Sequence, residues 1–203
     1  MSSLFVRSLV FAALAGATSA QAQSPPNSVF TSVYSEVSRT RCPNDFNRPL
    51  SQLGEHQPIT YSCPGRGGYA VDVAYLGAAV RVAIRRSGEK GGKAQLGAGF
   101  DVGDRIEWRG ASRERGFDPG AAILRLKNRE AKNKLGEVLG IVRIEDGKAC
   151  AAAFIDASAN PGAQDLARRT ADEVAAGPGC SSVTPHVVGA TTERVKEAMA
   201  RAQ

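Results

Sequence analysis

The strongest periodic signal in the chain runs from Cys63 to Arg86, where apolar and polar side chains alternate after a glycine-rich turn. Tyr69, Val71, Val73 and Tyr75 share one face of a strand, and Ala70, Asp72 and Ala74 share the other. After Leu76-Gly77, Val80, Val82 and Ile84 alternate with Arg81, Ala83 and Arg85, so the pattern predicts a β-hairpin with one apolar and one partly basic face. Pro58 to Cys63 reads as a short strand leading in, with Ile59 and Tyr61 on one side. Pro64-Gly65-Arg66-Gly67-Gly68 then reads as a turn with residues at positive φ. Ser28 to Val37 gives two answers: Phe30, Val33, Tyr34 and Val37 have helical spacing, whereas the Ser, Thr, Val and Tyr content favours a strand.

Further along, Asp104 to Arg109 alternates with Ile106 and Trp108 toward the core and Arg105, Glu107 and Arg109 on the polar side. Ala121 to Lys127 forms another strand through Ile123, Leu124 and Leu126. Leu135 to Ile144 and Lys148 to Asp156 form a hairpin across Asp146-Gly147, a dipeptide suited to the positive φ of a two-residue turn. The second of these strands is almost wholly apolar or small, which predicts a central position covered on both faces. Thr40 to His56, Ser87 to Gly99, Gly110 to Gly120 and Asn128 to Lys134 lack an apolar period and read as loops.

Asn160 is placed to cap a helix, with Pro161 at its first position and Asp165 in its positively polarised early turns. Ala163, Leu166, Ala167, Thr170, Ala171 and Val174 make a narrow stripe of small residues along it, which allows close approach to a sheet. Gly177-Pro178-Gly179 stops it, and a second amphipathic segment, Thr191 to Ala202, carries Val195 and Met199 four apart. Strands followed by helices predict an α+β domain: an antiparallel β-sheet with a C-terminal helix packed on one face.

Residues 1–22 have the make-up of an export signal: Arg7, an apolar run from Leu9 to Ala15, and small residues from Ala17 to Ala22, after which cleavage is expected. The apolar run falls short of the ~20 residues that span a bilayer. Residues 23–203 then form one domain. A periplasmic or secreted location is oxidising, so the four cysteines are expected as disulfides. Four cysteines allow three pairings, and Cys42 with Cys63 and Cys150 with Cys180 is favoured because each pair closes a local loop. No later stretch is apolar and long enough to span a membrane.

The net charge of +6 and the sequence pI of about 9.4 lean the protein toward anionic partners, although basic and acidic residues are interspersed. The chemistry of the chain is otherwise sparse. His56 and His186 are isolated, the cysteines lack metal-ligand spacing, and neither a GxSxG nor an HExxH element is present, so no metal or other cofactor is expected. Gly65-Arg66-Gly67-Gly68 leads into a strand and lacks the Lys-Ser/Thr of a phosphate-cradling loop. Asp72, Glu107 and Asp156 lie within strands and form the one catalytic option, a carboxylate-dependent hydrolase acting on cell-wall sugar. Against that, Glu107 between Arg105 and Arg109 reads as their ion-pair partner.

Arg81, Arg85, Arg105, Arg109 and Arg125, with Lys127 and Arg143, fall on the polar side of the expected strands and would place a positive field on a sheet surface. Aromatic residues do not interleave with them, which argues against stacking on nucleic-acid bases. Tyr34 with Cys42, Cys63-Pro64-Gly65 followed by Gly67-Gly68 and Val71, Glu107-Trp108-Arg109, Ala122-Ile123-Leu124-Arg125, and Cys150 followed by Asp156-Ala157 and Asn160 together resemble a family of exported, functionally uncharacterised proteobacterial proteins. The resemblance covers most of residues 23–203, includes all four cysteines in keeping with the two local disulfides, and implies no activity. The expectation is an exported binding or inhibitor-like module that recognises an anionic envelope component or a protein through its basic face and loops, with the hydrolase as the alternative.

Overall fold

The computed structural model describes residues 30–38, 40–42, 59–76, 79–89, 95–97, 100–128 and 136–202. The expected export signal, His56, and parts of the loops expected at Thr40 to His56, Ser87 to Gly99 and Asn128 to Lys134 lie outside the described residues. In chain order the elements are β1 (Thr31–Glu36), β2 (Ile59–Pro64), β3 (Tyr69–Leu76), β4 (Ala79–Arg86), β5 (Leu96–Gly97), β6 (Phe100–Arg113), β7 (Gly116–Asn128), β8 (Glu137–Glu145), β9 (Lys148–Asp156), α1 (Ala163–Ala176), β10 (His186–Val187) and α2 (Glu193–Ala200).

The strands divide between two sheets. A large one has the order β1-β6-β7-β8-β9-β10 and a small one the order β2-β3-β4-β5. Pairing is antiparallel throughout except where β10 lies parallel to β9. The α+β class read from the pattern is the observed one, with α1 on one face of the large sheet and both expected disulfides present.

The alternation explains the layers. Val71 faces Ile84 and Val73 faces Val82 across the β3–β4 hairpin, and this side is buried against Ile106, Trp108, Leu124 and Phe154 of the large sheet. Each such side chain stabilises the fold by about 1.5–3 kcal/mol relative to exposure, so this seam is the main core. The opposite side of the large sheet carries Ala121, Ile123, Leu139, Ile141, Ala153 and Ile155, and there Ala163, Ala167 and Ala171 of α1 make a second, thinner core. Small residues at intervals of four or so are what let a helix lie this close to a sheet. As expected of a central strand, β9 is buried on both faces from Ala151 to Asp156.

The glycine-rich turn locks the two sheets together. A Cβ at Gly65 would stand 2.6 Å from the Trp108 ring, and Gly67 sits at φ +60° against Pro119. Only glycine fits both the close approach and the left-handed backbone there. From the same turn Arg66 donates from Nε and NH2 to the Tyr34 carbonyl at 2.8 and 2.6 Å, occupying part of the open edge of β1.

Several local expectations are corrected. Within Ser28 to Val37, Thr31–Glu36 form the strand β1, which pairs with β6 along the large sheet. Gly110 to Gly120 is not a loop: β6 and β7 run on as a paired ribbon to Arg113 and Gly116. A register shift between Arg109 and Gly110 breaks the alternation, which is why the pattern fades before the strand does. Within Ser87 to Gly99, Leu96–Gly97 forms the short edge strand β5. Asn160 does not cap α1; Gly162 occupies that position in the left-handed region with no side-chain cap. The Asn160 amide instead donates to the Asp156 carbonyl at 2.8 Å and accepts from the Ala190 N–H at 2.9 Å. The same loop is held by Asp156, fully buried, whose carboxylate accepts from the N–H groups of Ser158 and Ala159, from Thr192 Oγ1 and from Arg194. That carboxylate therefore joins the end of β9 to the start of α2.

Candidate functional site

On the α1 side of the large sheet the apolar surface stops at β7, and β6 and β1 present polar side chains instead. Glu107 and Arg109 alternate with the buried Ile106 and Trp108, and so face the helix. Helix α1 answers this with two stripes. Ala163, Ala167 and Ala171 cover the apolar strands, while Gln164, Arg168 and Asp172, spaced four apart, lie along the flank nearest β6. Polar stripe meets polar stripe, and a cavity opens at one end of this seam.

Arg109 fills the closed end. Its Nε and NH2 donate to the two carboxylate oxygens of Asp172 at 2.8 and 2.6 Å, its NH1 to Ser32 Oγ at 2.7 Å and its NH2 to the Phe30 carbonyl at 3.0 Å. With only 11% of its side chain exposed, it is a structural pin joining β6, β1 and α1.

Glu107 forms the base of the open end. Oε1 accepts from Ser32 Oγ and from Arg168 Nε at 2.7 Å, and Oε2 accepts from Gln164 Nε2 at 2.7 Å and from Arg168 NH2 at 3.5 Å. A carboxylate has about four lone-pair positions, so these donors saturate it. Burial pushes the Glu107 carboxyl up, but hydrogen bonds from Arg168 and Ser32 and the charges of Arg168 and Arg109 outweigh it and leave it below its ordinary value. Arg168 is raised above its own ordinary value by the hydrogen bonds to Glu107 and to Tyr34. The expected pairing of Glu107 with Arg105 and Arg109 is thus replaced by partners 57 to 75 positions away in the chain.

The cavity above Glu107 has a volume of about 300 Å³ and is bounded by Tyr34, Arg105, Ile123, Arg125, Leu139, Gln164 and Arg168. Arg105 lies over the Tyr34 ring, 4.4 Å from its centroid, and makes no ion pair among the described residues. A bulge between Val102 and Ile106 sets Arg105 beside the Arg125 row rather than in strict alternation with it. Arg125 donates to Glu137 through NH1 and to Gln164 Oε1 at 2.7 Å through NH2. A neighbouring hollow of about 670 Å³ shares Arg125, Leu139 and Gln164 and continues along 157–163.

The expected basic residues therefore do not form one field. Arg105 and Arg125 meet at the cavity, and Arg109 lies behind it. Arg81 and Arg85 belong to the small sheet, whose outward face is on the other side of the sandwich. Arg85 is bound there to Asp72 and, at 3.2 Å, to Ser62. Lys127 continues β7 beyond the cavity lining, and Arg143 turns toward the end of α1, where it donates to the Val174 carbonyl. Arg143 Nε has no partner among the described residues.

The three carboxylates considered for hydrolysis are likewise apart. Asp72 is in the small sheet, while β6 and β9, which carry Glu107 and Asp156, are separated by β7 and β8. At a strand spacing of about 4.8 Å that is roughly 14 Å. Among the described residues no group of three or more His, Cys, Asp and Glu side chains is arranged to hold a metal ion, and no helix is long and apolar enough to cross a membrane. Comparison of the chain with family models, with curated proteins and with solved structures gives no match.

Arg168 is the site residue that periodicity did not single out. Its signal was the Gln164-Arg168-Asp172 spacing beside the alanine stripe, which marks a second helix face turned toward something polar.

Proposed function

We propose that this is an exported, periplasmic or secreted binding module that takes an anionic group of an envelope component or protein into the cavity between β6 and α1. The observation that carries the reading is the convergence of Arg105, Arg125 and Arg168 on one concave site whose one lining carboxylate among the described residues, Glu107, is already saturated. Guanidinium groups in a partly enclosed site bind carboxylate and phosphate through paired, charge-assisted hydrogen bonds. Two disulfides suit an oxidising compartment, and the resemblance to exported proteobacterial proteins points the same way.

Capture from envelope extracts tests this, using oxidised wild-type protein and the Arg105→Ser/Arg125→Ser variant at about 0.15 M and 1 M salt, where screening lengths are ~8 and ~3 Å. A component held by the wild type, weakened by the double substitution and released at high salt is the expected result. Equal capture by both proteins would overturn the reading. The hydrolase alternative gains no support from the geometry, because Glu107 is saturated and the other two carboxylates are engaged elsewhere.

A further inference from the structure

Resting on that reading, we infer that the ligand is an organic monocarboxylate with an uncharged, partly apolar body. Its carboxylate is held at Arg105 and Arg125, and its body lies on Ile123 and Leu139 toward the loop at 157–162. Charge decides between anions first. The three guanidiniums of the cavity face Glu107 and Glu137, and Asp165, 3.1 Å from Arg168 NH1, offsets more of their charge, so little net positive charge remains for a guest. A single negative charge is accommodated there more easily than a phosphate dianion, which would sit beside these carboxylates with more charge than the guanidiniums offset.

Size and surface decide the rest. A cavity of about 300 Å³ exceeds what a bare anion fills, so a guest that excludes water must bring a body with it. Ile123 and Leu139, at the margin of the core under α1, form the apolar floor of the cavity beside the guanidiniums. The adjoining hollow carries neutral small residues, Ala157, Ala159 and Gly162 among them, and among the described residues its only charged lining side chains are Arg125 and Glu137. Glu107 is saturated and Glu137 is paired with Arg125, so both lining carboxylates are already engaged, which favours an acylated amino acid or the end of a longer chain over a free amino acid.

The test is an amide NMR titration of the oxidised protein with N-acetyl-leucine, N-acetyl-leucinamide, acetate and inorganic phosphate at equal concentration and low salt. The expected outcome is that N-acetyl-leucine binds at least tenfold more tightly than acetate or phosphate, that the amide does not bind, and that Arg105→Gln abolishes the difference. Binding of phosphate or acetate as tight as that of N-acetyl-leucine would overturn the monocarboxylate inference while leaving the anion site in place. Absence of shifts with every anion would remove both.

Discussion

Arg168 on α1 donates from Nε to Glu107 Oε1 on β6 at 2.7 Å, and through this pair the helix flank is bound to a buried carboxylate of the large sheet. The folded state holds Glu107 below its ordinary value of 4.5, so it binds a proton less readily than the unfolded chain does. The stabilisation is therefore complete at pH values above the unfolded pKa and is lost as pH falls through the depressed folded one. Glu107→Gln should cost about 1–3 kcal/mol at pH 7, in the range of hydrogen bonds to charged groups. The gap from wild type should close as the solution is acidified toward pH 3. Urea unfolding at a series of pH values measures this, and a gap that stays constant would show that the carboxylate charge is not what the helix is bound to.

Asp172 neutralises Arg109 at the closed end of the same seam. Asp172→Ala leaves that guanidinium in place with only Ser32 and a carbonyl as acceptors, and about 2–4 kcal/mol of stability should be lost. Replacing both residues, Arg109→Met with Asp172→Leu, should recover part of that loss, since no unpaired charge remains. Equilibrium unfolding of the single and double variants decides it.

Trp108, the only tryptophan in the chain, lies wholly buried between the sheets and against Gly65. Gly65→Ala should displace its ring, lowering stability by about 1–3 kcal/mol as overpacking does and weakening its near-ultraviolet circular dichroism. An unchanged Trp108 signal would contradict the close contact.

The disulfides span 21 and 30 residues, Cys42 to Cys63 and Cys150 to Cys180. Loops of that size stabilise by about 3–4 kcal/mol each in the chain-entropy account. Paired Cys→Ser variants should lower the urea midpoint by comparable amounts, and the Cys150–Cys180 pair should also loosen the end of α1, read as faster amide exchange near Val174.

Much of this fold is legible in the sequence because it rests on local signals. The 69–86 alternation survives as a hairpin, Asp146 and Gly147 both take positive φ in the expected turn, and each disulfide closes its own short loop. What the pattern does not disclose is long-range. Glu107 stands between two arginines in the chain, yet its partners come from β1 and α1, because alternation names a face without saying what covers it. Asn160 has the chemistry of a cap, but the buried Asp156 organises the loop first and turns that side chain inward. The division of the strands into two sheets scattered the arginines for the same reason, placing Arg81 and Arg85 on one side of the sandwich and Arg105 and Arg125 on the other.

The most direct measurement of the central claim is an amide NMR titration of the oxidised protein with acetate at low ionic strength, mapped residue by residue. Shifts confined to Tyr34, Arg105, Arg125, Gln164 and Arg168 and their neighbours are the expected result for an anion site at the β6–α1 seam. Shifts spread evenly over exposed cations such as Arg81, Arg113 and Arg115, with none at the cavity, would contradict it and leave a basic surface without a site.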